Sequence, residues 1–196
     1  MRYFLLALLI CLATTPLKAQ QDAGTHIGVG VRLANVFVFN RGFLDGEFAN
    51  GATLLVPINI NDRLRVEPEI GFSRSTSESD LYDATTSQYV LGIGIMPLIP
   101  RGNFTLYAGG RFRYVNASQD ESSGPFGGDR EISTSGISLA PIVGGEFFFA
   151  RWFSLGGEAG FEYRTSSSED SVVEEDSSDS SSFGTTGAVH VRFYFN

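Results

Sequence analysis

The segment Ala188–Phe195 reads Ala-Val-His-Val-Arg-Phe-Tyr-Phe, with apolar and polar side chains alternating. Successive side chains of an extended strand point to opposite faces, so a period of two predicts a strand with one apolar face. Val189, Val191, Phe193 and Phe195 share that face, opposite Ala188, His190, Arg192 and Tyr194. The pattern recurs seven times upstream. Ile27 to Leu33 alternate with His26, Gly28, Gly30 and Arg32, and Leu54 to Ile60 alternate with Thr53, Leu55, Pro57 and Asn59. Leu64 to Phe72 oppose Arg65, Glu67, Glu69 and Gly71, while Tyr89 to Ile95 oppose Gly92, Gly94 and Met96. Phe104 to Tyr114 oppose Thr105, Tyr107, Arg111 and Arg113. Ile137 to Phe149 oppose Ser138, Ala140, Gly144 and Glu146. Phe153 to Tyr163 oppose Ser154, Gly156, Glu158, Glu162 and Arg164. No window shows sustained helical periodicity.

The eight segments are joined by two kinds of connection. Three are short: Asn61-Asp62-Arg63, the stretch from Leu98 to Gly102, and Ala150-Arg151-Trp152. Four are long and polar, at 39–50, 74–87, 116–133 and 165–184, and the two kinds alternate strictly. A transmembrane barrel has this asymmetry, with tight turns on one side and long external loops on the other. Tilted membrane strands need about 9–11 residues, which most of these runs reach.

Alternation alone fits a soluble barrel as well, so the polarity of the two faces decides. One face carries Arg32, Arg65, Glu67, Glu69, Arg111, Arg113, Glu146, Glu158, Glu162, Arg164 and Arg192, six arginines and five glutamates. The other carries no charge in any strand core. Eight strands enclose an interior just filled by side chains. A near-balanced set of guanidinium and carboxylate groups can fill it as a hydrogen-bonded ionic network. The apolar face would aggregate in water but is required in lipid, where closure satisfies every backbone group. The expected fold is therefore all-β: a closed eight-stranded antiparallel up-and-down transmembrane β-barrel. Aromatic residues near the strand ends are expected at the membrane interfaces, with Phe104, Trp152, Phe153 and Phe195 on the turn side and Tyr163 towards the loops. Pro57, Pro68, Pro97 and Pro141 fall in or near strands, where each removes a ladder hydrogen bond, so bulges or strand ends are expected there.

The N-terminus reads as a secretory signal peptide. Arg2 precedes an apolar run from Tyr3 to Ala13, Pro16 breaks the run, and Ala19 offers a cleavage point. The run is too short for a transmembrane helix of roughly 20 residues. This divides the chain into a signal peptide, 1–19, and a barrel domain, 20–196. Cys11 is the only cysteine and falls in the first part, so the barrel has no disulfide or thiol chemistry. Residues 20–196 hold twelve arginines, no lysine and twenty-two acids, a net charge of −10. That balance argues against nucleic acid as a partner.

With the signal peptide, the eight alternating strands, Gly144-Gly145-Glu146-Phe147-Phe148-Phe149 and the terminal Val191-Arg192-Phe193-Tyr194-Phe195, the chain resembles the small eight-stranded outer-membrane proteins, the OmpA transmembrane domain and OmpX-like barrels. The resemblance spans residues 20–196 and implies a bacterial outer-membrane location. Such proteins usually end on an aromatic residue read by the barrel-assembly machinery; here Asn196 follows Phe195. The resemblance carries over no catalytic or binding residue.

Candidate chemistry is sparse. His26 and His190 lie on the inward face of first and last strands, at different heights, and read as packed lumen residues rather than metal ligands. Serines crowd the long loops, but no histidine accompanies them as a base. The four long loops hold 15 of the 22 acids, which would make the external rim negative. The loop from Ser166 to Ser182 reads as low-complexity and mobile. Divalent cations could bridge the rim to lipopolysaccharide, although no calcium-loop spacing is present. The expected role is structural or surface-interactive: a non-enzymatic, cofactor-free, monomeric barrel presenting acidic, Ser-rich loops. Its expected partners are outer-membrane lipids, lipopolysaccharide and, during insertion, the assembly machinery. A narrow porin-like ion pore is the alternative, and a lipid A-modifying enzyme the second alternative.

Overall fold

The structure is a computed structural model, and it describes residues 25–34, 52–79, 82–123, 129–170 and 178–195. The signal-peptide segment 1–19 and the 39–50 connection lie outside the described residues. Nine strands form one antiparallel sheet: β1 Thr25–Ala34, β2 Ala52–Leu55, β3 Ile58–Ile60, β4 Leu64–Ser79, β5 Tyr82–Arg101, β6 Phe104–Ser123, β7 Asp129–Ala150, β8 Phe153–Asp170 and β9 Ser178–Phe195. Consecutive strands pair, except β2 and β3, and β1 pairs with β9 from Ile27↔Phe195 to Ala34↔Ala188, closing the ring.

The nine strands make eight staves, because β2 and β3 are halves of one. Both pair with β1 on one side and β4 on the other, in a single register. Pro57 causes the break, since it has no N–H to donate. Its carbonyl still accepts from Gly28 N at 2.9 Å, and Val56 N donates to the carbonyl of Pro68 at 2.9 Å. Pro97 and Pro141 act alike, each at a gap in a ladder whose register is unchanged on either side.

The turns at one end are tight. Asn61 and Asp62 both have positive φ, 50° and 52°, and Arg63 N donates to Ile60 O at 3.1 Å. That is the two-residue turn whose twist matches a hairpin's, and Asn and Asp tolerate it better than other non-glycine residues. The second turn is Gly102–Asn103. The stretch from Leu98 is therefore not a connection as expected: β5 continues to Arg101 and pairs with Phe104. The third turn is Arg151–Trp152, with a register shift between Phe148 and Ala150.

The opposite end departs most from expectation. Three of the segments read as long loops are largely strand. β4 and β5 continue through 74–79 and 82–87 as a hairpin, paired to Ser79↔Tyr82. β6 and β7 pair through Ser122↔Asp129, and β8 and β9 through Ser168↔Ser178. The stretch 165–170 and 178–184, expected to be mobile, is paired sheet. The cause is that alternation marks the lipid boundary rather than the strand end. Above it both faces meet water, so polar residues fill both and the period-two signal vanishes while pairing continues. Cross-strand hydroxyl pairs support it, among them Thr134–Ser168 at 2.8 Å and Ser166–Ser180 at 2.9 Å.

The exposed apolar side chains fix the lipid band. On β6 it runs from Phe104 to Tyr114, and both of these end residues are exposed. Ten residue steps of ~3.3 Å, tilted by roughly 40°, give a height of about 25 Å, which matches an outer-membrane apolar band. The 22 residues of β7 are about twice that length, so half of it stands clear of the lipid.

Candidate functional site

The eleven charged residues expected in the lumen all lie on the inner face. Arg32, Arg65, Glu67, Glu69, Arg111, Arg113, Glu146, Glu158 and Arg192 are buried, and Glu162 and Arg164 are half-buried higher up. They form one ladder of ion pairs along the barrel axis.

At the turn end, Glu146 on β7 is the hub. It accepts from Nη2 of Arg65, from Arg192 Nη1 at 2.8 Å, and from Ser154 Oγ at 3.3 Å. Arg65 also donates from Nε to Asn59 Oδ1 at 2.8 Å and from Nη2 to the Tyr194 hydroxyl at 2.8 Å. One step up, Arg192 reaches Glu67 with Nε 2.7 Å from Oε2 and Nη2 donating to Oε1 at 3.0 Å. Arg111 donates to the same Glu67 Oε1 at 2.5 Å. It also clasps Glu158 with Nε and Nη2, both at 2.9 Å. Arg32 Nε donates to Glu158 at 2.8 Å, and its Nη1 to Glu69 at 3.4 Å. Glu69 also accepts from Thr53 Oγ1 at 2.7 Å and Arg113 Nε at 3.1 Å. Arg113 and Arg164 continue to Glu162 at 3.6 and 3.3 Å.

Every carboxylate therefore meets at least two guanidinium groups, drawn from different strands. Arg32, Glu69, Arg111 and Glu158 come from four different staves, so the network ties the wall together across the lumen. Burial of this many charges is tolerable only with such pairing, and breaking one pair is more costly than the pair is stabilising.

Several residues outside the expected list complete the packing. Tyr107 lies beneath two guanidinium groups, 5.7 Å from Arg65 Cζ and 5.8 Å from Arg192 Cζ. Met96, Leu98, Tyr107, Ala140 and Ile142 form an apolar cluster on the inner faces of β5, β6 and β7. Alternation places Met96, Tyr107 and Ala140 on the inner face but reads Leu98 as the start of a connection; their mutual contact depends on the register of the adjacent strands β5, β6 and β7, which alternation does not give. His190 is buried with Nε2 3.4 Å from the Tyr107 hydroxyl. Small residues make room for these groups. A Cβ on Gly144 would meet the Tyr107 ring at 2.5 Å, and one on Gly156 would collide with His190 Nε2.

His26 lies apart, at the turn end, with Nε2 3.9 Å from Asp62 Oδ1. Loss of water around the turn raises the Asp62 carboxyl above its ordinary value, and His26 partly opposes this. Among the described residues no group of three or more His, Cys, Asp or Glu is placed to hold a metal ion.

The expected interface aromatics are brought together at the turn end. Trp152 stacks on Phe193 with centroids 6.1 Å apart, Phe153 contacts Phe193 at 5.2 Å, and Phe149 contacts Phe153 at 5.6 Å. Phe104 and Phe195 are exposed at the same end, and Tyr163 is exposed near the other.

Residues 4–150 match the family described as outer membrane protein beta-barrel domain. Among curated proteins, none matches this sequence. Among solved structures, a major outer membrane protein from Thermus thermophilus is similar with a TM-score of 0.55 at 14% identity, over 87% of this chain and 99% of that one. Ail, the attachment invasion locus protein of Yersinia pestis, is similar with a TM-score of 0.50 at 20% identity, over 89% and 99%. At these identities the likeness is one of fold.

Proposed function

The chain belongs to the outer membrane protein beta-barrel domain family, a protein of the bacterial outer membrane, and on that premise we propose that it is a sealed scaffold with a surface-interaction role. The observation that supports this reading is the contrast between its two halves. The lipid-spanning half is filled by ion pairs and an apolar cluster, which leaves little path for solutes. The other half, among the described residues, is a sheet of paired, polar, Ser-rich and acidic strand ends.

Under this proposal residues 1–19 direct export, and the barrel-assembly machinery inserts residues 20–196. The monomeric barrel then sits among outer-membrane lipids and lipopolysaccharide, with Trp152, Phe153, Phe104 and Phe195 at the inner interface and Tyr163 at the outer. It needs no cofactor and performs no catalysis.

A trimmed chain tests it. The hairpin ends at 76–85, 118–133 and 168–178 are excised and closed with two-residue turns. The trimmed barrel is expected to keep the gel-mobility difference between unboiled and boiled samples. Cells displaying it are expected to attach to one another and to surfaces less than cells displaying the full chain. Equal attachment would remove the interaction role, and unitary conductance steps from the full chain in planar bilayers would replace it with a pore.

A further inference from the structure

Outside the lumen the charges separate by end. Each of the three tight turns carries one exposed arginine: Arg63 after Asn61–Asp62, Arg101 before Gly102–Asn103, and Arg151 within the third. Among the described residues the only acid outside the lumen at that end is Asp62, which is half-buried beside His26. The opposite end is acidic. Asp83, Asp120, Glu131, Glu169 and Asp179 are exposed there on five different strands. Two exposed arginines accompany them, Arg74 and Arg130, and Arg130 is paired with Asp170. The two ends thus carry opposite sign, one lipid band apart.

The turn arginines also stand at the edge of that band. Arg63 N donates to the carbonyl of Ile60, whose side chain is exposed. Arg101 is in register with the exposed Phe104, and Arg151 precedes the exposed Trp152. A long cationic side chain at such a position lays its stem on apolar surface and keeps its head among the lipid headgroups. A guanidinium group meets phosphate oxygens with two parallel N–H bonds. Successive turns fall two staves apart, so the three cations are spread around the rim rather than gathered in one pocket.

We infer that the turn end is a docking surface for anionic phospholipid headgroups, with Arg63, Arg101 and Arg151 each holding the phosphate of one lipid. Charge complementarity selects the occupant. An anionic lipid is attracted at the turns and repelled at the acidic strand ends, so the same charge pattern selects the leaflet. One cation close to an anionic membrane surface gives about a fivefold preference, the equivalent of about 1 kcal/mol. The inference rests on the membrane placement of the barrel and is independent of the attachment role.

Trp152, the only tryptophan of the chain, reports on the position beside Arg151. The full chain is folded into phosphatidylcholine vesicles that contain a small share of brominated lipid, which quenches a tryptophan it touches. Brominated phosphatidylglycerol is expected to quench Trp152 with about fivefold higher apparent affinity than brominated phosphatidylcholine, and added salt to weaken that preference. Arg151→Gln is expected to abolish the preference and Arg151→Lys to keep it. With the reporter moved by Trp152→Phe and Phe104→Trp, Arg101→Gln is expected to have the same effect at the second turn. With it moved by Trp152→Phe and Tyr163→Trp towards the acidic end, the preference is expected to vanish or reverse. Equal quenching of Trp152 by the two lipids, a preference unchanged in Arg151→Gln, or an equal preference at both ends would overturn the docking surface. The gel-mobility difference between unboiled and boiled samples, measured in phosphatidylcholine alone, checks the barrel itself, so a failed barrel and a failed docking surface give different results.

Discussion

Arg192 shows what a single residue does in this lumen. It serves two carboxylates, Glu67 through Nε and Nη2 and Glu146 through Nη1, and it lies fully buried. Arg192→Met keeps much of the side-chain volume and removes the charge. It leaves Glu67 with Arg111 and Glu146 with Arg65, each short of one partner. The expected loss is about 3–5 kcal/mol, the usual consequence of stranding buried charge. Adding Glu67→Gln removes one of the stranded charges, so the double variant should be more stable than Arg192→Met alone. Urea unfolding in lipid vesicles measures both, and a double variant that loses the sum of the two single losses would argue against coupling. At this scale the sequence was informative about charge and uninformative about partners. Alternation places Arg192 and Glu67 on the inner face, yet they lie on the last and third staves, 125 residues apart. Only closure of the ring brings them together. Tyr107 is similar: its inward position was readable, but its place beneath Arg65 and Arg192 follows from the room left by Gly144 opposite.

Elements were legible where their environment was two-sided. The lipid-facing runs alternate because one face meets hydrocarbon and the other a polar lumen, and those runs lie where expected. The extensions of β4 to β9 do not alternate because water lies on both sides, so composition read as loop where the backbone is sheet. Pro57 shows the reverse: it splits one stave into β2 and β3 without altering register, which carbonyl acceptance by Pro57 and Pro68 explains. The turn joining β3 and β4 supports a prediction at this scale. Asp62 sits at φ 52° with its carboxyl raised, first by loss of water and with His26 acting against it. A raised folded value means that the folded state binds the proton more tightly than the unfolded chain. Ionisation therefore removes stability as pH climbs from the unfolded value through the folded one, and the deficit persists above it. Asp62→Asn cannot ionise and still tolerates positive φ. The variant is expected to exceed the parent in urea midpoint at about pH 7 and to match it at about pH 3, below both values. A difference that is constant across that range would assign the effect to turn geometry instead.

For the whole molecule, sidedness follows from an even number of staves. With eight staves, Thr25 and Phe195 fall at the same end as the turns Asn61–Asp62, Gly102–Asn103 and Arg151–Trp152, while the polar strand ends all project from the other. The lipid band separates the two ends by about 25 Å, and the packed lumen gives a bulky reagent no passage between them. The chain offers a clean background for testing this, since its only cysteine is Cys11, which Cys11→Ser removes. Two single-cysteine variants then report the two ends: Ser180→Cys on the exposed polar end of β9, and Arg151→Cys in the third turn. On intact cells a membrane-impermeant maleimide is expected to label Ser180→Cys and to leave Arg151→Cys unlabelled. After the outer membrane is opened both should react, because both positions are exposed to solvent. Labelling of Arg151→Cys alone on intact cells would invert the barrel, and equal labelling of both would mean that the lumen or the wall is open. The measurement thus checks three consequences of the sequence together: the strand count, the side on which the Ser-rich sheet stands, and the sealing of the barrel by its buried arginines and glutamates.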